Sequence, residues 1–319
     1  MRRLPTLPWV SLRLFLGPQV RSATLRETLD AAGFPHAGRI VAITAGWQER
    51  EGELTALERH LESSVVDLRL YARADQAFAD DPGLYEAYRA RQGRLKTAQE
   101  LYRLRLGHAV MAARELLDRR GDDAQITGAR ERAVAAVRQL DREHRSELAN
   151  VHAEFEAEWQ PSRRPAVAHH MSAIAELIAA SELVLIAGGH VAVLLNRLRL
   201  FGLGGLLHDK PVAAWSAGAM SLAGSVLLFH DGALHRPGAA ELFEAGLELL
   251  DGAIMFPYAG SRLALDDHSR VRLLAGRCAP ASCYTLDEGE WLAWRDGARG
   301  PVGRARRLNA SGAVEALAS

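Results

Sequence analysis

The sequence predicts an α/β fold, a three-layer sandwich whose mostly parallel sheet is covered by helices on both faces and interrupted by a long antiparallel helical hairpin. Short apolar runs such as RIVAIT (39–44) and ELVLIAGG (182–189) are typical of strands buried on both faces. These runs alternate with helical segments, and such alternation indicates parallel strands joined by crossover helices. Residues 84–159 contain no proline and are rich in Arg, Glu, Ala and Leu, which predicts two long helices.

The elements follow one another in a regular order. Before the hairpin, a strand, a helix, a strand, a helical segment and a strand are predicted at 10–16, 22–33, 39–44, 48–63 and 64–71. After the hairpin, strands are predicted at 182–189, 210–215, 225–232 and 252–258, with two more within 281–297. The helices around them are predicted at 168–180, 191–203, 217–224, 239–250 and 270–276.

The hairpin is predicted to consist of helices 83–120 and 124–160. In the second helix, the apolar and small positions from Ile126 to Trp159 recur at spacings of three, four and four residues. This is an 11-residue repeat, which favours a nearly straight or slightly right-handed pairing of the two helices.

These boundaries predict two domains. Residues 1–80 and 166–319 form the α/β domain, and residues 81–165 form an inserted coiled-coil arm. We expect helices 83–160 to serve self-association or binding of a protein partner.

Composition excludes several classes of protein. The 39 Lys and Arg residues balance 39 Asp and Glu residues, so the basic excess typical of nucleic-acid binding is absent. No apolar run reaches the roughly 18 residues that a membrane span requires, and no membrane association is expected. Cys278 and Cys283 lack a second pair for a zinc site. We expect free thiols in a reducing cytosol, hence a cytoplasmic protein, with no metal and no cofactor.

The stretch PVAAWSAGAM (211–220) carries the clearest chemical signal. A strand that passes straight into a helix through small-x-Ser-x-Gly makes a tight turn, for which Ala214 and Gly218 leave room. Ser216 would lie at its tip, and the N–H groups that open the helix could stabilise an oxyanion. The alternative is a strand-to-helix junction without chemistry.

Three segments resemble the dipeptidase E and cyanophycinase family of serine peptidases, in the class I glutamine amidotransferase-like superfamily. They are ELVLIAGGHVAVLLNRL (182–198), similar to the family's Gly-Gly loop and helix, AWSAGAMSL (214–222), similar to its nucleophile elbow, and GLELLDGAIMFPY (246–258), similar to the segment before its catalytic histidine. The resemblance implies a flavodoxin-like fold, a peptide or amide substrate, and Ser216 as nucleophile. Glutamine amidotransferases carry cysteine at the elbow, so glutamine hydrolysis is not expected. The hairpin is not part of the family's usual pattern.

The chain departs from this family where the catalytic histidine is expected, because Pro257 is followed by Tyr258. A phenol with a pKa near 10 cannot act as general base at neutral pH unless it is strongly perturbed. The histidines on or near the predicted active edge are His190, His230, His235 and His268. Asp231 lies 15 residues after Ser216, where the resemblance implies the acidic triad residue. His190 could instead cap a helix or bind substrate, and His230 and Asp231 could form a plain Asp-Gly turn.

Glycines beside the predicted elbow could complete the site. Gly188 and Gly189 can supply one oxyanion N–H and Ala217 the second, or the glycines can serve a tight turn alone. Trp215 is a candidate substrate contact. Trp47, at the end of the first core strand, could contact a ligand, or the segment 47–49 could simply begin a helix.

Two functions therefore remain open. One is a serine hydrolase in which Ser216 attacks a peptide or amide carbonyl, with His190 or His230 as base and Asp231 behind it. The other is a catalytically impaired relative, with Tyr258 in place of the histidine, that acts as a binding or scaffold protein through the helical arm.

Overall fold

The computed structural model describes residues 12–121, 123–231, 237–250, 252–295 and 302–317, with backbone alone at 230–231 and 237–239. Its strands are β1 (Leu12–Leu16), β2 (Ile40–Ile43), β3 (Val65–Asp67), β4 (Leu183–Ile186), β5 (Val212–Trp215), β6 (Ser225–Asp231), β7 (Pro237–Ala245), β8 (Ala253–Pro257), β9 (Ser282–Leu286), β10 (Trp291–Arg295), β11 (Val302–Gly303), β12 (Arg306–Leu308) and β13 (Val314–Ala316). Its α-helices are α1 (Leu25–Ala32), α2 (Thr55–Leu61), α3 (Leu70–Asp80), α4 (Pro82–Asp118), α5 (Ala124–Trp159), α6 (Pro165–Ala179), α7 (Val191–Leu200), α8 (Leu203–Leu207), α9 (Ala217–Leu222), α10 (Ala259–Arg262) and α11 (His268–Cys278).

The central sheet has the order β11-β10-β1-β5-β4-β2-β3. Strands β1, β5, β4, β2 and β3 pair in parallel, and β10 and β11 extend the sheet in antiparallel fashion. Because the five parallel strands point the same way, the loops that follow β2, β4 and β5 meet at one edge of the sheet.

Side chains of the central strands alternate between two apolar cores. In β4, Val184 and Ile186 belong to a core that includes residues of α3, α6 and α7, whereas Leu183 and Leu185 belong to a core with α1 and α2. This period-two burial is what a sheet covered on both faces requires. The predicted three-layer α/β fold is therefore confirmed.

The predicted helix at 239–250 is wrong, because Pro237–Ala245 forms strand β7, which pairs with β6 in antiparallel fashion. The composition AAELFEA favours a helix locally, but contacts with other parts of the chain stabilise the segment as a strand. Glu241 pairs with Arg103 of α4, and the N–H of Leu242 donates to the hydroxyl of Tyr102 at 3.1 Å.

Two other predictions need smaller corrections. The strand predicted at 64–71 ends at Asp67, and α3 begins at Leu70 because the carboxylate of Glu51 accepts the N–H groups of Tyr71 and Ala72 at 2.7 and 2.9 Å. The two strands predicted within 281–297 are present, but they lie in different sheets. β9 pairs with β8 and β12 in a second sheet, whereas β10 borders β1.

The two long helices of the hairpin are confirmed. Asp81 and Asp123 cap α4 and α5 by accepting the N–H groups of Leu84 and Ile126 at 3.0 and 2.9 Å. Both helices contact β7 and α11. At this contact Tyr102 donates to Asp141 at 2.7 Å and accepts from the buried Arg277 at 2.7 Å, so one hydroxyl joins α4, α5 and α11.

Candidate active site

The backbone turns sharply at Ser216, between the end of β5 and the start of α9. Ser216 has φ 50° and ψ −119°, a conformation that costs a non-glycine residue about 1–3 kcal/mol. Neighbouring backbone holds it there. The N–H of Ser216 donates to the carbonyl of Leu16 at 3.2 Å, and its own carbonyl accepts from Met220 at 3.1 Å. Ser216 remains half-exposed at this turn.

Two glycines allow the turn to sit against β4. A Cβ atom added at Gly218 would come within 2.3 Å of the carbonyl oxygen of Ile186, so any side chain there would drive α9 away from β4. A Cβ atom at Gly188 would meet the Cβ of Ser216 at 2.9 Å and its Oγ at 3.5 Å. The loop after β4 therefore lies directly against the serine hydroxyl.

Backbone N–H groups near Ser216 are available to a ligand. Gly189 has φ 116°, and the next N–H, that of His190, donates to Gly46 at 2.8 Å, which fixes the loop. Among the described residues, nothing accepts a hydrogen bond from the N–H of Gly189 or of Ala217.

A cavity of about 600 Å³ opens beside the serine. The sequence-predicted residues that line it are Gly188, Gly189, Trp215, Ser216, Ala217 and Tyr258, together with Trp47. Apolar side chains form much of the wall, including Leu57, Met220 and Phe256. Trp215 is only 7% exposed, so little of this residue is open to the cavity.

Tyr258, which follows β8, shares this cavity with Ser216. It adopts the left-handed conformation, with φ 58° and ψ 34°, and is 37% exposed. The guanidinium of Arg262 lies over its ring, 5.1 Å from the centroid, and Arg262 also lines the cavity. The structure therefore brings Ser216 and Tyr258 to one cavity.

His190 caps helix α7, as one of the two sequence interpretations predicts. Its Nδ1 accepts the N–H of Val193 at 3.3 Å and caps α7, while the residue is exposed. His190 does not line the cavity. Its Nδ1 lone pair is committed to the backbone of α7, which leaves an N–H at Nε2.

His60 lines the cavity and was missed by sequence reasoning. It lies in the last turn of α2, within no recognisable motif, so no local signal marked it. Its Nε2 accepts the N–H of Arg26 at 3.1 Å, and the carboxylate of Glu27 lies 3.8 Å from the same nitrogen. Gln19 is a further polar lining residue without a sequence signal.

His230 and Asp231 form the end of β6, and their side chains lie outside the described residues. Leu227, Leu228 and Phe229, which precede them, line the cavity. His235 also lies outside the described residues. His268 begins α11, where its Nδ1 contacts the carbonyl of Gly312 at 3.0 Å, and it does not line the cavity.

Within the described ranges, no group of three or more His, Cys, Asp or Glu side chains could hold a metal ion. None of the helices in that part of the chain combines the length and apolar character needed to cross a membrane. Cys278 and Cys283 are both free thiols.

Comparison with solved structures finds distant similarities. No protein-family model and no curated protein sequence matches the chain. A crystal structure of a peptidase from an acI-B1 Actinobacterium aligns with 97% of this chain and 97% of its own, at 14% sequence identity and a TM-score of 0.44. At this distance the similarity transfers no function to the chain.

Proposed function

We propose that the chain is a serine hydrolase that cleaves peptide or amide bonds through Ser216. One observation carries the proposal: a non-glycine residue held at φ 50° presents its hydroxyl beside a cavity and against Gly188. Strained backbone of this kind is retained where the surrounding structure enforces it, and it clusters at active sites. The turn between strand and helix is also the geometry that exposes a nucleophile.

The proposed reaction proceeds in two acyl-transfer steps. Ser216 Oγ attacks the substrate carbonyl carbon and loses its proton to a general base, and the N–H groups of Gly189 and Ala217 stabilise the resulting oxyanion. Collapse of this intermediate breaks the C–N bond, and the amine leaves with the proton from the base. Water then attacks the acyl-enzyme in the same way and releases the carboxylic acid and free Ser216.

We assign the base role to His230. Support comes from the histidines that are described. His190 and His60 each have a ring nitrogen occupied by a backbone N–H, so neither has that lone pair free to take the serine proton. His230 directly follows cavity-lining residues of β6.

The second candidate is a binding protein without turnover. Tyr258, which stands where the family has its histidine, favours this alternative, because an ordinary phenol is a poor general base at neutral pH. In this case the cavity would bind a peptide or amide without cleaving it, and the hairpin would provide the contact with a second copy or a partner.

A fluorophosphonate probe distinguishes the two candidates. It reacts only with an activated serine, whose Oγ displaces fluoride from phosphorus. We expect labelling of the wild type, none of Ser216→Ala, and unchanged labelling of Ser172→Ala, which removes an exposed hydroxyl on α6. If the folded wild type stays unlabelled between about pH 6 and 9, the hydrolase proposal fails and the binding candidate stands.

A further inference from the structure

A second cavity, of about 650 Å³, lies between the base of the hairpin and the α/β body. It shares no lining residue with the cavity at Ser216. Its walls come from α4, α5, the α7–α8 connection and the end of β7. The residues that matter for its chemistry are Arg91, Arg145, His152, Glu156, Arg199 and Glu244.

Arg91 is the unusual member of this set. It is 6% exposed, and its Nε is buried without a hydrogen-bond partner. Its guanidinium lies between two aromatic rings, 4.1 Å from the centroid of Tyr88 and 4.3 Å from that of Phe155. Within the described part of the chain, no carboxylate lies within 4 Å of it.

The carboxylates around the cavity are otherwise engaged or too distant. Glu244 accepts from His152 at 2.7 Å and pairs with Arg199 at 3.0 Å, and Glu248 pairs with Arg145. Glu156 also lines the cavity and its charge acts on Arg91, but the two form no ion pair within 4 Å. Burial lowers the pKa of Arg91, but an arginine side chain nevertheless stays charged in proteins. A cation buried next to an open space without a direct ion-pair partner is costly, and an anionic ligand in contact with it would lower that cost.

We propose that this cavity binds a small organic anion with an apolar body, a carboxylate or a phosphate monoester, whose anionic group pairs with the guanidinium of Arg91. The apolar part of the wall suits such a body. Leu198, Leu203 and Leu247 line the same space. The planar fork of an arginine matches the paired oxygens of a carboxylate or a phosphate.

Calorimetric titration tests the proposal with four probes: benzoate, phenyl phosphate, inorganic phosphate and neutral benzyl alcohol. We expect one equivalent of benzoate or phenyl phosphate to bind, benzyl alcohol not to bind, and inorganic phosphate to bind more weakly than phenyl phosphate. Comparing the first two probes decides between a carboxylate and a phosphate ligand. Arg91→Gln should weaken binding by at least about tenfold. Arg89→Gln, an exposed neighbour on the same helix, should leave it unchanged.

A second variant tests the proposal independently, in case Arg91→Gln does not fold. A Cβ atom at Gly204 meets nothing within 4 Å, so Gly204→Leu extends into open space at the cavity wall and should block the probe without disturbing the fold. Circular dichroism verifies folding of each variant. The proposal is overturned if neither anion binds the folded wild type at millimolar concentration. It is also overturned if Gly204→Leu binds the anionic probes as tightly as the wild type does, and Arg91→Gln, where it folds, does the same.

Discussion

Gly188 and Ser216 are in direct contact. A single methyl group added at Gly188 would meet the Cβ of Ser216 at 2.9 Å, closer than carbon atoms of this kind approach, and the Oγ at 3.5 Å. The main chain cannot retreat freely, because the neighbouring Gly189 is held at φ 116° against Gly46, whose carbonyl accepts from His190. The position of the serine hydroxyl therefore depends on the absence of a side chain at Gly188, in the loop after the neighbouring strand β4.

Gly188→Ala should displace Ser216 and slow its reaction with fluorophosphonate by at least about tenfold, because small misplacements of reacting groups carry large rate penalties. The rate of labelling is measured at several probe concentrations, together with thermal unfolding. Gly204→Ala is the matched control, since its added Cβ meets open space. Equal labelling rates for Gly188→Ala and the wild type would contradict the contact's role in placing the hydroxyl.

The base assignment predicts different effects for three histidine substitutions. His230→Asn should abolish labelling of Ser216, whereas His60→Asn should leave the labelling rate within about twofold, since His60 Nε2 serves the backbone of Arg26. His190→Ala should also retain labelling, but it should lower the free energy of unfolding by about 1 kcal/mol through loss of the α7 cap. Urea denaturation measures that loss. Labelling that survives in His230→Asn and disappears in His190→Ala would reverse the assignment.

The fold was largely predictable because its signals are local. The apolar run of β4 and the small residues around Ser216 act within a few positions of the chain, and both were identified. Strand β7 was missed because its pairing depends on Arg103 and Tyr102, more than a hundred residues earlier. The start of α3 was missed for a similar reason, since its cap is Glu51, a residue outside the helix.

The site was only partly predictable for the same reason. The glycines and Ser216 stand on the loops that follow β4 and β5, which the parallel topology brings to one edge of the central sheet, whereas Tyr258 reaches the cavity from the end of β8 in the second sheet. His60 enters the cavity from the end of a helix on one face of the sheet, which depends on how α2 packs. His190 occupies the predicted loop, but the first turn of α7 takes its ring nitrogen.

Stability should fall in acid through Glu244. Burial opposes ionisation of this carboxyl, but the hydrogen bond from His152 and the charge of Arg199 outweigh burial and lower its pKa to about 2, from 4.5. A group whose pKa is depressed by folding stabilises the protein above its unfolded pKa, and this stabilisation is lost as the pH falls from about 4.5 towards 2. This pKa shift corresponds to about 3 kcal/mol in the free energy of unfolding.

Glu244→Gln removes this titration, so the variant's free energy of unfolding should change less between pH 6 and 3 than that of the wild type. Urea denaturation at intervals of pH measures both curves. The exposed Glu315, which pairs with Arg307 at 3.3 Å on the protein surface, provides Glu315→Gln as the control that should follow the wild-type curve. Parallel curves for Glu244→Gln and the wild type would show that this carboxyl is not the acid-sensitive group.

If the hairpin mediates self-association, we expect the contact to use an exposed apolar surface of α4. Leu101, Leu104 and Met111 are 59%, 65% and 62% exposed and lie on one side of α4, because residues three and ten positions apart share a helix face. If this stripe joins two copies, wild-type protein should sediment as a dimer, and the double variant Leu101→Glu and Leu104→Glu should sediment as a monomer, since charge would be buried without a partner. Val302→Glu places the same charge on another exposed apolar residue, on β11, and should leave the dimer intact. A wild-type chain that stays monomeric throughout the concentration series would rule out self-association, and a dimer that survives both glutamates would place the contact on another surface.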